Sequence, residues 1–135
     1  MDDLIAYLWV ALGGAIGSVA RYALANAMVL LTGPSFPFGT LLINVLGSFI
    51  ISFFGALTTI NGRWPISFEA RTFVTVGICG GFTTFSSFSL QTVDLLKHGA
   101  PARAFTYASV SVIFCLIACA LGYMAAGSLN TARQG

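Results

Sequence analysis

The sequence predicts an all-α membrane protein with four transmembrane helices. Hydrophobic residues make up 57% of the chain, charged residues only 7%, and the mean hydropathy is +0.91. A soluble domain needs roughly a quarter of its residues charged, so that class is excluded. A membrane helix takes about 20 mostly apolar residues, which limits this length to roughly four spans with short connections. We therefore expect a single transmembrane domain over residues 1–135, embedded in a lipid bilayer, with no extramembrane domain.

The first two helices are predicted over residues 4–31 and 38–60. The first apolar run carries one charged side chain, Arg21, and ends at the helix-breaking cluster Thr32-Gly33-Pro34. Acidic residues precede this run, and it is longer than the apolar core of a signal peptide, so we expect no cleaved targeting segment. The second run contains no charge and closes in a stretch with glycine and proline.

The third and fourth helices are predicted over residues 69–97 and 102–129. Glycines and hydroxyls crowd the middle of the third run, so this helix is expected to be broken near its middle. The pair Gly80-Gly81 is the predicted point of unwinding. Carbonyl oxygens freed there could hold a hard cation such as sodium, and two copies about a dimer axis would present enough of them.

Basic residues near the ends of the spans give almost no orientation signal. One side of a four-span protein carries Arg63, Arg71 and Arg133, and the other carries Lys97 and Arg103. Because an excess of Lys and Arg normally marks the cytoplasmic loops, three against two leaves both orientations open. The alternatives are a single, weakly specified topology and insertion in both directions. We favour the second, for which the simplest stable product is an antiparallel homodimer with dual topology.

The chain has no pattern typical of an enzyme or a nucleic-acid-binding protein. Catalysis needs a nucleophile with a base, or a metal with ligands at helix-compatible spacing, and neither is found. The net charge of +2 forms no basic patch for nucleic acid. Cys79, Cys115 and Cys119 lie in apolar stretches, and we interpret them as small packing residues and not as a disulfide framework.

Polar side chains at helical spacing indicate an ion-lining face. Thr40, Asn44 and Ser48 follow one another at intervals of four and share a face of the second helix. Phe85 and Phe88 share a face of the third helix, and an adjacent face carries three polar side chains: Thr84, Ser87 and Gln91. Helix stapling is the alternative for the polar residues, and ordinary packing is the alternative for the rings.

Such a face suits a small, strongly hydrated anion. Ring edges carry partial positive charge, and hydroxyl and amide protons also stabilise an anion without a formal charge. Conduction requires binding weak enough for the ion to leave, which a fixed cation would oppose.

Arg21 lies deep in the first apolar run, where a guanidinium needs partners or water. It is either a structural anchor at a vestibule or an attractor for anions.

Three segments together resemble the CrcB/Fluc family of fluoride channels: residues 13–22 (GGAIGSVARY), 38–47 (FGTLLINVLG) and 77–89 (GICGGFTTFSSFS). The likeness covers essentially the whole chain. It implies a bacterial inner-membrane homodimer of dual topology that exports fluoride passively through two antiparallel pores, with a structural sodium ion at the dimer centre.

The resemblance also implies roles for individual residues. The backbone carbonyls of Gly80 and Thr83 match the sodium ligands, and Arg21 matches an arginine near the aqueous vestibule. The fluoride pore is expected to include Asn44, Phe85, Phe88, Thr84, Ser87, Gln91 and Ser111, and Ser86 and Thr40 belong to the polar surroundings. The chain departs from the family pattern at Gln91, where members often carry glutamate, and at Cys115, where a pore-side hydroxyl is expected.

Two other functions are weighed against a fluoride channel. A small dual-topology multidrug exporter has a similar length and also four spans, but proton coupling needs a membrane-embedded carboxylate, and no Asp or Glu lies in the middle of a span. The small residues among positions 13–18 of the first span recur at close to helical spacing and favour close helix packing. A non-conducting assembly subunit would explain this packing but not the constellation of Asn44, Thr84, Phe85 and Phe88.

Overall fold

The computed structural model describes residues 2–131, and every regular element in that range is helical. Four helical stretches are long and apolar enough to cross a membrane: Leu4–Thr32, Phe38–Leu57, Phe68–Lys97 and Pro101–Thr131. The prediction of an all-α chain with four membrane-spanning helices is therefore confirmed. Arg133, one of the basic residues in the orientation argument, lies outside the described range.

The third span is divided into several pieces, whereas the other three are continuous. In chain order the elements are α1 (Asp2–Thr32), α2 (Phe38–Leu57), α3 (Phe68–Thr72), a π-helix (Phe73–Cys79), α4 (Gly80–Phe82), α5 (Phe85–Lys97) and α6 (Pro101–Thr131). α1 packs on the π-helix and α4, while α2 packs most extensively on α6. The molecule thus consists of two helix pairs, and α5 extends from the first pair to contact α6.

Residues Thr83 and Thr84 interrupt the third span. Both have extended backbones, with ψ of 156° at Thr83 and φ of −153° at Thr84, and α5 begins directly after them. The predicted unwinding at Gly80-Gly81 is wrong, because both glycines are helical and belong to α4. A Cβ on Gly81 would lie 2.5 Å from the carbonyl oxygen of Gly14, so packing against α1 holds this turn in place and the break falls later in the chain.

Glycines allow α1 and the third span to approach at backbone contact distance. A Cβ on Gly13 would lie 2.5 Å from the Phe73 carbonyl oxygen, and one on Gly17 would clash with the Ile78 carbonyl oxygen. Close helix approach through small residues is the usual way for membrane helices to gain van der Waals contact, because lipid supplies no hydrophobic driving force between them.

We expect Gly17→Ala to destabilise the protein by about 1–3 kcal/mol, because the added methyl group meets rigid backbone. Gly14→Ala is the matched control, since a Cβ at Gly14 meets nothing within 4 Å. Thermal unfolding of the purified protein in mild detergent measures the difference. Equal midpoints for the two variants would mean that this crossing is looser than the structure indicates.

The second helix is shorter than predicted and ends at Leu57 rather than near residue 60. The Leu57 carbonyl, whose α-helical donor would be the N–H of Asn61, accepts the N–H of Trp64 at 3.0 Å instead. The following turn is tied to the end of α6, where Asn130 Oδ1 accepts the Arg63 N–H at 2.8 Å. This tertiary contact closes the helix pair of α2 and α6 at one end.

Candidate functional site

A cavity of about 370 Å³, here called the mid-span cavity, lies where α2, the break in the third span, α5 and α6 meet. Its lining combines aromatic rings, hydroxyls, one amide and one thiol, and every lining residue is uncharged: Asn44, Gly47, Ser48, Ile51, Thr83, Thr84, Phe85, Phe88, Ser111, Val112, Cys115 and Leu116. Five of the residues predicted for the fluoride pore are therefore together in one cavity: Asn44, Thr84, Phe85, Phe88 and Ser111.

Asn44 binds both backbone polar groups of Thr84. Its Oδ1 accepts the Thr84 N–H at 2.8 Å, and its Nδ2 donates to the Thr84 carbonyl oxygen at 3.0 Å. Extended backbone inside a membrane protein needs such partners, since it forms no helical hydrogen bonds and lipid provides none. Asn44 therefore holds the break open, and its second amide proton remains for another acceptor.

Two hydrogen bonds at the break leave two carbonyls of the third span without their usual helical donors. In a continuous α-helix the Thr84 N–H would pair with the Gly80 carbonyl, and the Ser87 N–H would pair with the Thr83 carbonyl. Here Thr84 donates to Asn44, and Ser87 donates to the Thr84 Oγ1 at 3.1 Å, which caps α5. The carbonyls of Gly80 and Thr83 have thus lost their normal α-helical donors, and these are the two residues predicted to bind sodium.

Phe85, Phe88 and Tyr107 form a continuous run of rings. The Phe85 and Phe88 centroids are 5.3 Å apart with the planes tilted by 47°, and Phe88 and Tyr107 are also 5.3 Å apart, tilted by 49°. These tilts keep the rings out of a parallel stack, a geometry that can direct ring edges toward a neighbouring group. Phe85 is 77% exposed in the single chain, so the mid-span cavity is open on that side.

Ser111 carries a buried hydroxyl without a partner. The residue is 4% exposed, and its Oγ makes no hydrogen bond with any described residue. A buried polar atom left unpaired costs about 1–3 kcal/mol, so such atoms in native proteins usually mark a place for water, an ion or a ligand. Because Ser111 lines the mid-span cavity, the structure points to a polar occupant there.

A second cavity of about 490 Å³, here called the end cavity, opens between the helix ends at one side of the molecule. Its lining includes the loop between α1 and α2, the end of α5 and the start of α6, and it contains charged or titratable side chains as well as neutral polar ones: Asp94, His98 and Arg103, with Thr40 and Gln91. This composition is typical of a space that contains water.

Tyr107 connects the two cavities. Its ring packs on Phe88, which lines the mid-span cavity, and its hydroxyl donates to Gln91 Oε1 at 2.9 Å in the wall of the end cavity. Tyr107 is fully buried. It is absent from the predicted site, although its spacing of four residues from Ser111 and eight from Cys115 places all three on one face of α6 and could have revealed it.

Three residues predicted for the fluoride pore or its vestibule lie outside the mid-span cavity. Ser87 is engaged by the Thr84 hydroxyl, which donates to its Oγ at 3.0 Å, so it helps to cap α5. Gln91 lines the end cavity and pairs with Tyr107. Arg21 is half-buried on α1 and lines neither cavity, but it lies one helical turn before Ala25, which lines the end cavity. Of the three, Ser87 and Gln91 lie on α5, and each is hydrogen-bonded to another side chain of the protein.

Comparison with known proteins finds a family model and many curated relatives. Residues 8–123 match the family model described as CrcB-like protein, Camphor Resistance (CrcB). The chain is 50% identical over 124 residues to the "Fluoride-specific ion channel FluC" of Methylocella silvestris, covering 92% of this chain and 95% of the relative. It is also 50% identical over 127 residues to the protein of the same name from Opitutus terrae, covering 94% and 96%.

A relative from Paramagnetospirillum magneticum bears the same name. It is 47% identical over 127 residues, which are 94% of this chain and 99% of the relative. The matches therefore run over nearly the full length of both proteins, and the family model alone includes every residue that lines the mid-span cavity.

Proposed function

Because this chain belongs to the CrcB family, we propose that it is a fluoride-selective ion channel that exports fluoride passively across the bacterial inner membrane and so protects the cell from fluoride. It is a multi-pass membrane protein of a channel family and not an enzyme. The observation that carries the proposal is the uncharged mid-span cavity, in which Asn44, Phe85, Phe88 and the unpaired Ser111 hydroxyl meet.

Fluoride that enters this cavity must exchange its water for groups of the protein. The Ser111 hydroxyl and the second amide proton of Asn44 are available as donors, and the rings of Phe85 and Phe88 offer partially positive edges. Each of these groups is neutral, so together they replace hydration without trapping the ion as an ammonium or guanidinium would. Weak binding at several adjacent groups is the condition for fast passage.

The end cavity supplies an aqueous approach to this neutral section. An anion arriving there meets Arg103 together with Asp94 and His98, and Gln91 in the same wall accepts a hydrogen bond from Tyr107. Tyr107 packs on Phe88, which continues the path into the mid-span cavity. The proposed route therefore runs along one face of α5 and α6.

The open side of the mid-span cavity supports a homodimer. An ion path cannot have hydrocarbon as one wall, because the hydrophobic lipid gives no compensation for lost hydration. Phe85 lines the cavity yet is 77% exposed, so a further protein surface is needed to complete the wall. A second, antiparallel copy would complete the cavity wall of this chain, and this chain would complete the cavity wall of the copy. Such a dimer contains two pores. Its antiparallel arrangement agrees with the weak charge bias of the loops.

A structural sodium ion at the dimer centre fits the residues of the break. Sodium is a hard cation that prefers oxygen ligands, and the carbonyls of Gly80 and Thr83 have lost their α-helical donors to Asn44 and Thr84. Gly80 is exposed in the single chain, and a Cβ there meets nothing within 4 Å, so its backbone is accessible to a partner copy. Bound sodium would supply positive charge that joins the two subunits.

We expect Gly80→Val to abolish fluoride transport and the dimer, whereas Thr83→Ser should have a mild effect because main-chain oxygens form the site. Gly127→Val is the matched control, since a Cβ at Gly127 also meets nothing within 4 Å. Size-exclusion chromatography in sodium and in sodium-free N-methylglucamine buffer reports the dimer independently of transport. A Gly80→Val protein that remained dimeric and active would contradict the proposed site.

Growth of a bacterium that lacks its own fluoride exporter tests the function in cells. Expression of this chain should restore growth in fluoride medium, and expression of Asn44→Asp should not. Unrestored growth with wild-type protein present in the membrane would contradict fluoride export.

Cysteine tags in either loop region, labelled from outside, test dual topology, which predicts partial labelling at both ends of the molecule.

A further inference from the structure

Cys115 places a thiol in the wall of the mid-span cavity. It lies on α6, is half-buried, and follows Ser111 by one helical turn. The other lining groups that can bind a metal are hydroxyl, amide and carbonyl oxygens, which are hard ligands, whereas a thiolate sulfur is soft. The cavity therefore offers a single soft ligand in a neutral, polar surrounding.

A second observation indicates a polar occupant in this space. The Ser111 Oγ is buried and unpaired, and the cavity of about 370 Å³ has the size of small-molecule sites. Whatever polar group satisfies Ser111 is within one helical turn of Cys115 on the same face of α6. A small solute that reaches the hydroxyl will therefore also reach the thiol.

The two other thiols lack this setting. Cys79 is 2% exposed and lies in the π-helix that packs on α1. Cys119 is half-buried one turn after Cys115, but it is not among the residues that line the mid-span cavity. Both provide internal comparisons on the same chain.

We infer that Cys115 makes the mid-span cavity a binding site for soft, thiophilic metal ions, and that a metal bound there stops the passage of fluoride. The second half of this inference rests on the proposed channel function. Mercuric chloride is the suitable probe because the molecule is neutral. It can enter a cavity whose lining carries no charge without the loss of hydration that a free metal ion would suffer. The Cys115 S–H bond breaks and an S–Hg bond forms, while one chloride leaves mercury and the proton goes to solvent, so the product is S–Hg–Cl without any redox change.

A metal bound to Cys115 blocks fluoride because it occupies the same cavity. Cys115 shares the cavity with Asn44, Phe85 and Phe88, which the proposed function assigns to fluoride. A sulfur-bound mercury with its chloride would fill part of that space and put a bound anion against the neutral donors. An excess of a small thiol should remove the metal and restore passage.

Two measurements test the inference. Mass spectrometry of peptides from folded, mercury-treated protein locates the adduct without reference to transport. Fluoride efflux from liposomes, recorded before and after mercuric chloride, measures the block in wild-type protein and in Cys115→Ser, Cys119→Ser and Cys79→Ala. We expect the adduct on Cys115 and a fall in efflux of at least about tenfold in every protein except Cys115→Ser.

Cys115→Thr serves as a second resistant variant if Cys115→Ser is poorly folded. An adduct on Cys79 or Cys119 instead of Cys115 would overturn the metal site, and a full block of Cys115→Ser would do the same. An adduct on Cys115 with unchanged efflux would overturn the block. Absence of efflux in untreated wild-type protein would instead refute the channel function, and the adduct map would still decide the metal site.

Discussion

Asn44→Asp should reduce fluoride efflux by roughly 100-fold, the largest effect we expect from a change in the lining of the mid-span cavity. The variant loses the amide donor to the Thr84 carbonyl and places a carboxylate in the middle of the membrane. A charged carboxylate at that depth costs about 2.5–3.5 kcal/mol on insertion scales, and each 1.4 kcal/mol corresponds to a factor of ten. The same charge repels the permeating anion, so the cost of the buried carboxylate and the repulsion of fluoride both lower efflux.

Asn26→Asp is the matched control, because it makes the same change at an exposed position of α1 that lines neither cavity. Its efflux should stay near that of the unmodified protein. Asn44→Ala separates the two causes, since it removes both bonds to Thr84 without adding charge. Initial efflux rates from liposomes measure all three variants. Normal transport by Asn44→Asp would show that the bond pair to Thr84 is dispensable and that the anion passes elsewhere.

Leucine at Phe85 or at Phe88 should lower efflux by about tenfold in each case. Leucine keeps an apolar side chain but removes the ring edge, and ring interactions are worth about 0.5–1.5 kcal/mol beyond the area that they bury. Methionine at either position should retain more transport than leucine, because its sulfur is polarisable. The effect of Phe88→Leu includes the loss of its contact with Tyr107, where the centroids are 5.3 Å apart.

Phe49→Leu and Phe53→Leu are the controls for ring removal. These residues form a stacked pair on α2, with centroids 5.6 Å apart, and neither lines the mid-span cavity. They should leave efflux close to the unmodified rate after correction for the amount of folded dimer. If the variants at Phe85 and Phe88 behaved like these controls, the two rings would act in packing alone.

The four spans are predictable from the sequence because they depend on local properties. Runs of apolar residues and clusters of Gly and Pro place the helices within a few residues of their observed bounds. The largest difference is at the end of α2, which stops at Leu57 because the Leu57 carbonyl accepts the Trp64 N–H. The same turn is held by Asn130 of α6, a tertiary contact that no apolar run can reveal.

The position of the break depends on partners far apart in the chain. Glycine propensity places it at Gly80-Gly81, but contact with α1 keeps that turn helical, and Asn44 stabilises an extended Thr84 from 40 residues away. The roles of the polar side chains of α5 likewise depend on hydrogen-bond partners that spacing alone does not identify. Side-chain spacing assigns Ser87 and Gln91 to one stripe, whereas the first is used by the cap of α5 and the second by Tyr107.

Fluoride efflux from liposomes that contain the purified protein tests the central claim most directly. The vesicles are loaded with potassium fluoride or potassium chloride, and valinomycin carries the balancing potassium, so that movement of the anion needs no other energy source. We predict rapid release of fluoride, little release of chloride, and loss of the fluoride signal with Asn44→Asp. Fluoride retention by vesicles that contain folded protein, or equal release of both anions, would contradict a fluoride-selective channel built around the mid-span cavity.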